Sequence, residues 1–169
     1  MIGPRIWLLL TLSIPLSAQT HSSVQSVWIE KNLKWQKAPK EIQPRPESAP
    51  AAILYFYPNH HFAFFYSYVI RYGHHVPTVS AGDGFKIYRG MWTQTEGGIK
   101  VRYRLEEHTV RREGERIPGE CQDGIIQFGT KELSFLGMQF EAAPGMDESV
   151  QRTALGIPNQ PYEPVCNLK

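Results

Sequence analysis

The sequence predicts an all-β fold: an antiparallel up-and-down β-barrel with a short C-terminal helix, a two-sheet β-sandwich being the alternative. Three observations carry the prediction. Two apolar runs of strand length, Ile53 to Tyr57 and Phe62 to Ile70, are separated only by Pro58-Asn59-His60-His61, and Pro and Asn there stand in turn-favoured order. Further on, Ile99, Val101, Tyr103 and Leu105 alternate with Lys100, Arg102, Arg104 and Glu106, the pattern of a strand with one face in the core and one in water. Between such runs lie glycine turns, Gly82-Asp83-Gly84 and Thr95-Glu96-Gly97-Gly98. Short turns between strands make a meander, and closing the sheet protects the edges of strands this hydrophobic.

The chain has 169 residues, enough for one domain. Residues 1–18 read as a secretory signal peptide: Arg5 is the positive n-region, Ile6 to Leu16 the apolar h-region, and Ala18 the small residue before the cut. The apolar run is too short to cross a hydrocarbon core of roughly 30 Å, and Pro15 interrupts it. The mature chain then starts at Gln19, is secreted or periplasmic, and has no membrane span. Without Arg5 the 18 basic side chains become 17 against 16 acidic ones, a net of +1. No basic stripe with interleaved aromatics appears, so nucleic acid is not an expected partner. Lys31, Lys34, Lys37 and Lys40 read as a solvated face.

Residues 19–51 form an N-terminal segment and a Pro-rich connector, with the barrel domain, helix and tail over 52–169. In 19–38 both periods fit. Val24, Val27, Trp28, Lys31 and Trp35 follow helical spacing, while Val27, Ile29, Lys31 and Leu33 follow strand spacing. The expectation is a short element covering one barrel end. Pro39 to Pro50 holds four prolines and reads as an extended polar connector. Strands are then expected at 52–57 (apolar on both faces), 62–72, 78–81, 85–91, 99–110, 124–128 and 132–140. Gly90 allows close backbone approach beside Trp92. Arg111 to Arg116 is a charged loop tip. Asp147 caps a helix over 148–155, with Val150 and Ala154 on one face and Gly156 and Pro158 as its stop.

The two cysteines, Cys121 and Cys166, are an even pair in an exported chain and are expected to be joined. The bridge closes a loop of about 46 residues and contributes roughly 4 kcal/mol on the chain-entropy model. Two free thiols are the other reading.

A meander of hairpins, the triplet Gly90-Met91-Trp92, a late helix and a disulfide holding the tail together resemble the lipocalin-like (calycin) barrels. Lipocalins carry Gly-x-Trp on the first strand, whereas here at least two strands precede it. The resemblance covers residues 52–169 as a style of fold and implies no residue roles.

Candidate chemistry is sparse. His60-His61 and His74-His75 are pairs, but neighbours on a strand face opposite ways, and a strand of about 11 residues holds the pairs more than about 30 Å apart. They read as turn and loop histidines, with no metal and no cofactor expected. Asp83 brings one carboxylate to a Gly-Asp-Gly turn, too few oxygens for calcium. Glu106 and Glu107 are adjacent, face opposite sides and make no acid/base pair. No nucleophile elbow, zincin motif or phosphate loop occurs. The aromatic supply remains. Tyr66, Tyr68, Tyr88, Trp92 and Tyr103 are the candidate ligand-binding residues, because inward tyrosines need polar partners that a pocket supplies; the competing reading is a packed aromatic core. Three jobs fit: a non-enzymatic barrel binding a small apolar or amphipathic ligand, an interaction or inhibitor module with an envelope protein as partner, acting through loops such as 111–118, and an enzyme with a dispersed site.

Overall fold

The structure is a computed structural model, and it describes residues 27–57, 59–80, 86–108, 119–155 and 166–168. The signal peptide, the Gly82–Gly84 turn, the charged tip at 111–116 and the stop signals Gly156 and Pro158 lie outside the described residues.

The described chain folds into ten strands and one helix: β1 (Val27–Glu30), β2 (Gln36–Lys37), β3 (Glu47–Phe56), β4 (His61–Arg71), β5 (Thr78–Ser80), β6 (Lys86–Thr95), β7 (Gly98–His108), β8 (Gln122–Phe128), β9 (Glu132–Phe135), β10 (Met138–Ala142) and α1 (Asp147–Leu155). Eight strands close an antiparallel barrel in the order β3-β1-β10-β9-β8-β7-β6-β4, with β4 returning to β3. β2 and β5 flank the outer halves of β3 and β4.

Two readings of the N-terminal region are corrected. Val27–Glu30 is not a cover but a barrel strand, pairing Trp28 with Ala142 on one side and with Leu54 on the other. The strand period wins because Val27 and Ile29 bury outward while Trp28 packs on the interior cluster. The Pro-rich connector is shorter than its prolines imply. Glu47 to Pro50 already belong to β3, where Pro50 sits opposite Tyr68. A strand accepts proline where its missing N–H faces no partner, and the other edge of β3 is unpaired between Ser48, held by β2, and Ile53, held by β1. Residues 38–46 close as a hairpin loop, with Ala38 N–H donating to the Pro46 carbonyl at 2.9 Å.

The expected strand over 132–140 is a hairpin. Leu136 and Gly137 both take positive φ, 50° and 78°, as a tight hairpin turn demands. Leucine is a poor residue for that conformation, and its exposed side chain gave no turn signal. Beyond Leu105 the alternation of β7 also breaks: Ile87 pairs Glu107 while Tyr88 pairs Leu105, a bulge that leaves Glu106 without an opposite residue.

Two cores result. Inside the barrel lie Leu54, Phe56, Phe62, Phe64, Ile99, Val101, Tyr103, Ile126, Leu133, Phe135 and Phe140. Outside it, Ile53, Tyr55, Ala63, Phe65, Ile87, Val27 and Ile29 are covered by Met146 and Val150 of the helical segment. β3 and the start of β4 are therefore apolar on both faces because one face meets the barrel interior and the other the helix. Ser149 Oγ ties the helix to the sheet by accepting the Val79 N–H at 2.6 Å. Cys121 and Cys166 form a disulfide with their Cα atoms 5.7 Å apart.

Candidate functional site at the barrel mouth

The β3–β4 hairpin is longer than the barrel is tall. Its inner half, Ile53–Phe56 and His61–Tyr66, pairs with β1 and β6. Its outer half projects past one end as a flap edged by β2 and β5. Even-numbered residues of β4 continue the interior face outward, so Phe62 and Phe64 are buried, Tyr66 stands at the mouth at 38 % exposure, and Tyr68 lies on the flap at 51 %.

Rings fill the interior below the mouth. Phe135 meets Phe62, Phe64 and Tyr103 edge-on at centroid distances of 6.1, 5.4 and 5.7 Å. Tyr88 stacks on Phe64 at 5.6 Å and meets Tyr103 at 6.0 Å. Such offset and edge arrangements are the favoured ones for aromatic pairs. Across this section the barrel is a packed core. Tyr88 and Tyr103 belong to it. Trp92 lies at the opposite barrel end, against Phe56 and His60, with its indole N–H donating to the Tyr57 carbonyl at 3.1 Å. The five candidate residues thus separate: Tyr66, Tyr88 and Tyr103 are neighbours, and Tyr68 and Trp92 are not part of their group.

Tyr66 is where this group reaches solvent. It packs edge-on against Phe64 at 5.0 Å, and its hydroxyl reaches the Met138 sulfur of β10 at 3.8 Å. Burial raises its pKa, reinforced by Tyr88, by Glu30 and by Tyr103, so the phenol is held neutral as a donor. Burial likewise raises Tyr103, with Tyr88 adding to it.

Beside Tyr66 the unpaired stretch of β3 leaves a gap between β2 and β1. A cavity of about 260 Å³ occupies it. Leu33, Pro50 and Ala51 form apolar walls, Tyr66 one side, and Glu30 and Lys34 bring opposite charges. Glu30 points inward from β1 and its carboxylate accepts the Ala52 N–H at 3.1 Å, satisfying an edge donor that no strand pairs. Pro50 has no N–H to satisfy on that same edge. Asn32, with φ of 60°, turns the chain after β1 and brings Leu33 and Lys34 to the cavity. Asparagine tolerates that left-handed conformation.

Sequence reasoning missed Glu30, Leu33, Lys34 and Pro50. The strand spacing of Val27, Ile29 and Lys31 was the available signal for Glu30, since it puts Trp28 and Glu30 on the opposite, inward face. The histidine pairs stand at the two ends of β4. His61 opens the strand buried, and burial lowers its pKa. Among the described residues no group of three or more metal-ligating side chains comes together. The chain matches no protein-family model, no curated protein and no solved structure.

Proposed function

We propose that the chain is an exported, non-enzymatic small β-barrel that binds a small amphipathic ligand at its mouth. The observation that carries this is the cavity of about 260 Å³ where Tyr66 meets the apolar walls of Leu33, Pro50 and Ala51 and the charges of Glu30 and Lys34. Ligand sites are mostly apolar clefts of about 300–1,000 Å³ with a few placed polar groups. This cavity lies just below that range, which fits one or two fused rings or a short chain rather than a two-tailed lipid. Because rings occupy the interior, the reading puts the ligand at the rim and not within the barrel. A phenol hydroxyl, a cation and a carboxylate beside apolar walls suit a molecule with an apolar body and a polar head.

Export is supported by the Arg5–Ala18 leader pattern and by the Cys121–Cys166 disulfide, since such bonds persist in oxidising compartments. Among the described residues no helix is long and apolar enough to cross a membrane. The likeness to lipocalin-like barrels stays within this reading as one of style, with Gly90-Met91-Trp92 on the fourth barrel strand in chain order.

The test is a titration of purified mature protein with the apolar fluorophore N-phenylnaphthylamine, together with native mass spectrometry of exported material. Saturable enhancement is expected, weakened about tenfold or more by Tyr66→Ala and unchanged by Tyr68→Ala, because Tyr68 lies outside the cavity lining. Sequencing of the exported chain is expected to start at Gln19. Probe binding that survives Tyr66→Ala unaltered removes this site.

A further inference from the structure

We infer that the tip of the flap is a second, independent binding site, for an oxyanion of the phosphate type. The site lies at the end of the flap, where Glu47 stands opposite Arg71, and shares no residue with the mouth cavity. It is an open cavity of about 610 Å³ whose wall carries Lys37, Arg45, Arg71, His74 and His75 with one carboxylate, Glu47. Three cations, Lys37, Arg45 and Arg71, against one carboxylate leave a positive excess of two. These residues come from two stretches of sequence, 37–47 and 71–77, which the β3–β4 pairing brings together. Lys37 is on β2, Glu47 on β3 and Arg71 on β4, and the register puts Lys37 opposite Glu47 and Glu47 opposite Arg71. Arg45 comes from the 38–46 loop, and the histidines from the loop between β4 and β5.

Two of the three cations, Arg71 and Arg45, are held in place, while Lys37 is exposed beside Glu47. Arg71 donates to Glu47 through Nε at 2.9 Å and Nη2 at 2.8 Å, and its guanidinium lies 3.9 Å over the Trp35 ring. This pairing depresses the Glu47 pKa, with Lys37, 3.8 Å away, adding a smaller pull, so the carboxylate stays ionised and keeps Arg71 in place. Arg45 is anchored by its Nε, which donates to the Ala38 carbonyl at 2.5 Å. That anchor spares the terminal nitrogens of its fork. The loop carrying Arg45 holds Pro39, Pro44 and Pro46 and is closed by the Ala38–Pro46 hydrogen bond, so little backbone freedom is lost on binding. Planar guanidinium groups in fixed positions match the tetrahedral oxygens of a phosphate or sulfate, and the lysine adds a point charge. Glu47 disfavours ligands that bring no more than one negative charge, which selects dianions.

The oxyanion comes either from a soluble small molecule or from a lipid headgroup, and the experiment separates them. Inorganic phosphate is titrated into the mature protein at constant ionic strength set with chloride, followed by amide chemical shifts. Saturable shifts at residues 37–47 and 71–77 are expected, with affinity reduced about fivefold or more by Arg45→Ala and by Lys37→Ala. Lys100→Ala, on the outer face of β7, is expected to leave binding unchanged, and circular dichroism checks that each variant folds. Vesicles of phosphatidylcholine with phosphatidic acid, whose phosphomonoester can carry two charges, form the second arm. Vesicle binding that needs Arg45 and is competed by phosphate assigns the lipid source, and phosphate binding without vesicle binding assigns the soluble one. Absence of saturable phosphate shifts overturns the site, as does equal weakening by Lys100→Ala. Vesicle binding without phosphate binding overturns it too, since diffuse charge rather than the cavity is then at work. The mouth cavity stands or falls separately, because Tyr66→Ala leaves this tip intact.

Discussion

Gly90 shows how much one missing side chain decides. A Cβ built there meets the Arg102 carbonyl oxygen at 1.9 Å and the Tyr103 Cα at 2.6 Å. The neighbour that uses the space is the backbone of β7, not an aromatic ring of β4. Backbone cannot turn aside as a flexible side chain can, so Gly90→Val is expected to destabilise by about 3 kcal/mol or more, although valine suits strands. Two residues on, Trp92 is half-buried, held by its N–H to Tyr57 O and by Phe56 and His60. Trp92→Ala is expected to cost about 2–4 kcal/mol, toward the low end for a tryptophan because its burial is incomplete. Urea unfolding of both variants checks the order, with Gly90→Val at least as damaging. A harmless Gly90→Val contradicts the close β6–β7 approach.

At the level of elements, β7 tests the two-faced strand. Ile99, Val101 and Tyr103 are buried in the barrel, while Lys100, Arg102 and Arg104 are partly covered on the outside. Arg102 reaches Asp123 of the neighbouring strand at 3.7 Å, a weak surface pair. Val101→Asp puts a carboxylate among rings and aliphatic groups and is expected to cost about 3–5 kcal/mol, whereas Lys100→Asp stays within about 0.5 kcal/mol. Thermal midpoints of the two variants that coincide contradict the assignment. The hairpin β3–β4 answers a different need. Its inner half is apolar on both faces because barrel and helix each take one, and its outer half brings Glu47 and Arg71 to one cavity and Pro50, Ala51 and Ser67 to the other.

For the whole molecule, packing of tyrosines into the sheet makes stability fall in alkali. Burial raises the pKa of Tyr55, Tyr66 and Tyr103, with the charge of Asp147 adding at Tyr55. The unfolded chain ionises these phenols near their ordinary value of 10.0, before the folded chain does. The unfolded state therefore binds fewer protons above that pH, and stability, level below it, drops as pH climbs toward the folded values. Denaturant midpoints measured from pH 8 to pH 11 are expected to show this drop, and Tyr103→Phe to make it shallower. A midpoint flat to pH 11 contradicts burial of the phenols.

Local patterns were enough for the fold class, the turn at 95–98, the β7 alternation, the helix at 147–155 and the Cys121–Cys166 pair. Each rests on neighbours in sequence or on a count of two, and the physics that decides it is local: period, turn conformation, helix capping and thiol oxidation. What only the tertiary structure decided is which strand closes the ring and where the polar groups converge. Val27–Glu30 fits helix and strand periods alike, and becomes a strand because the edges of β3 and β10 both need a partner. Pro50 reads as a breaker, and is accepted because its side of β3 has no partner to miss a hydrogen bond. Lys37, Glu47 and Arg71 look like scattered surface charges, and form a wall because antiparallel register sets them side by side. Long-range pairing is a property of edges finding one another, and no window of sequence contains both edges.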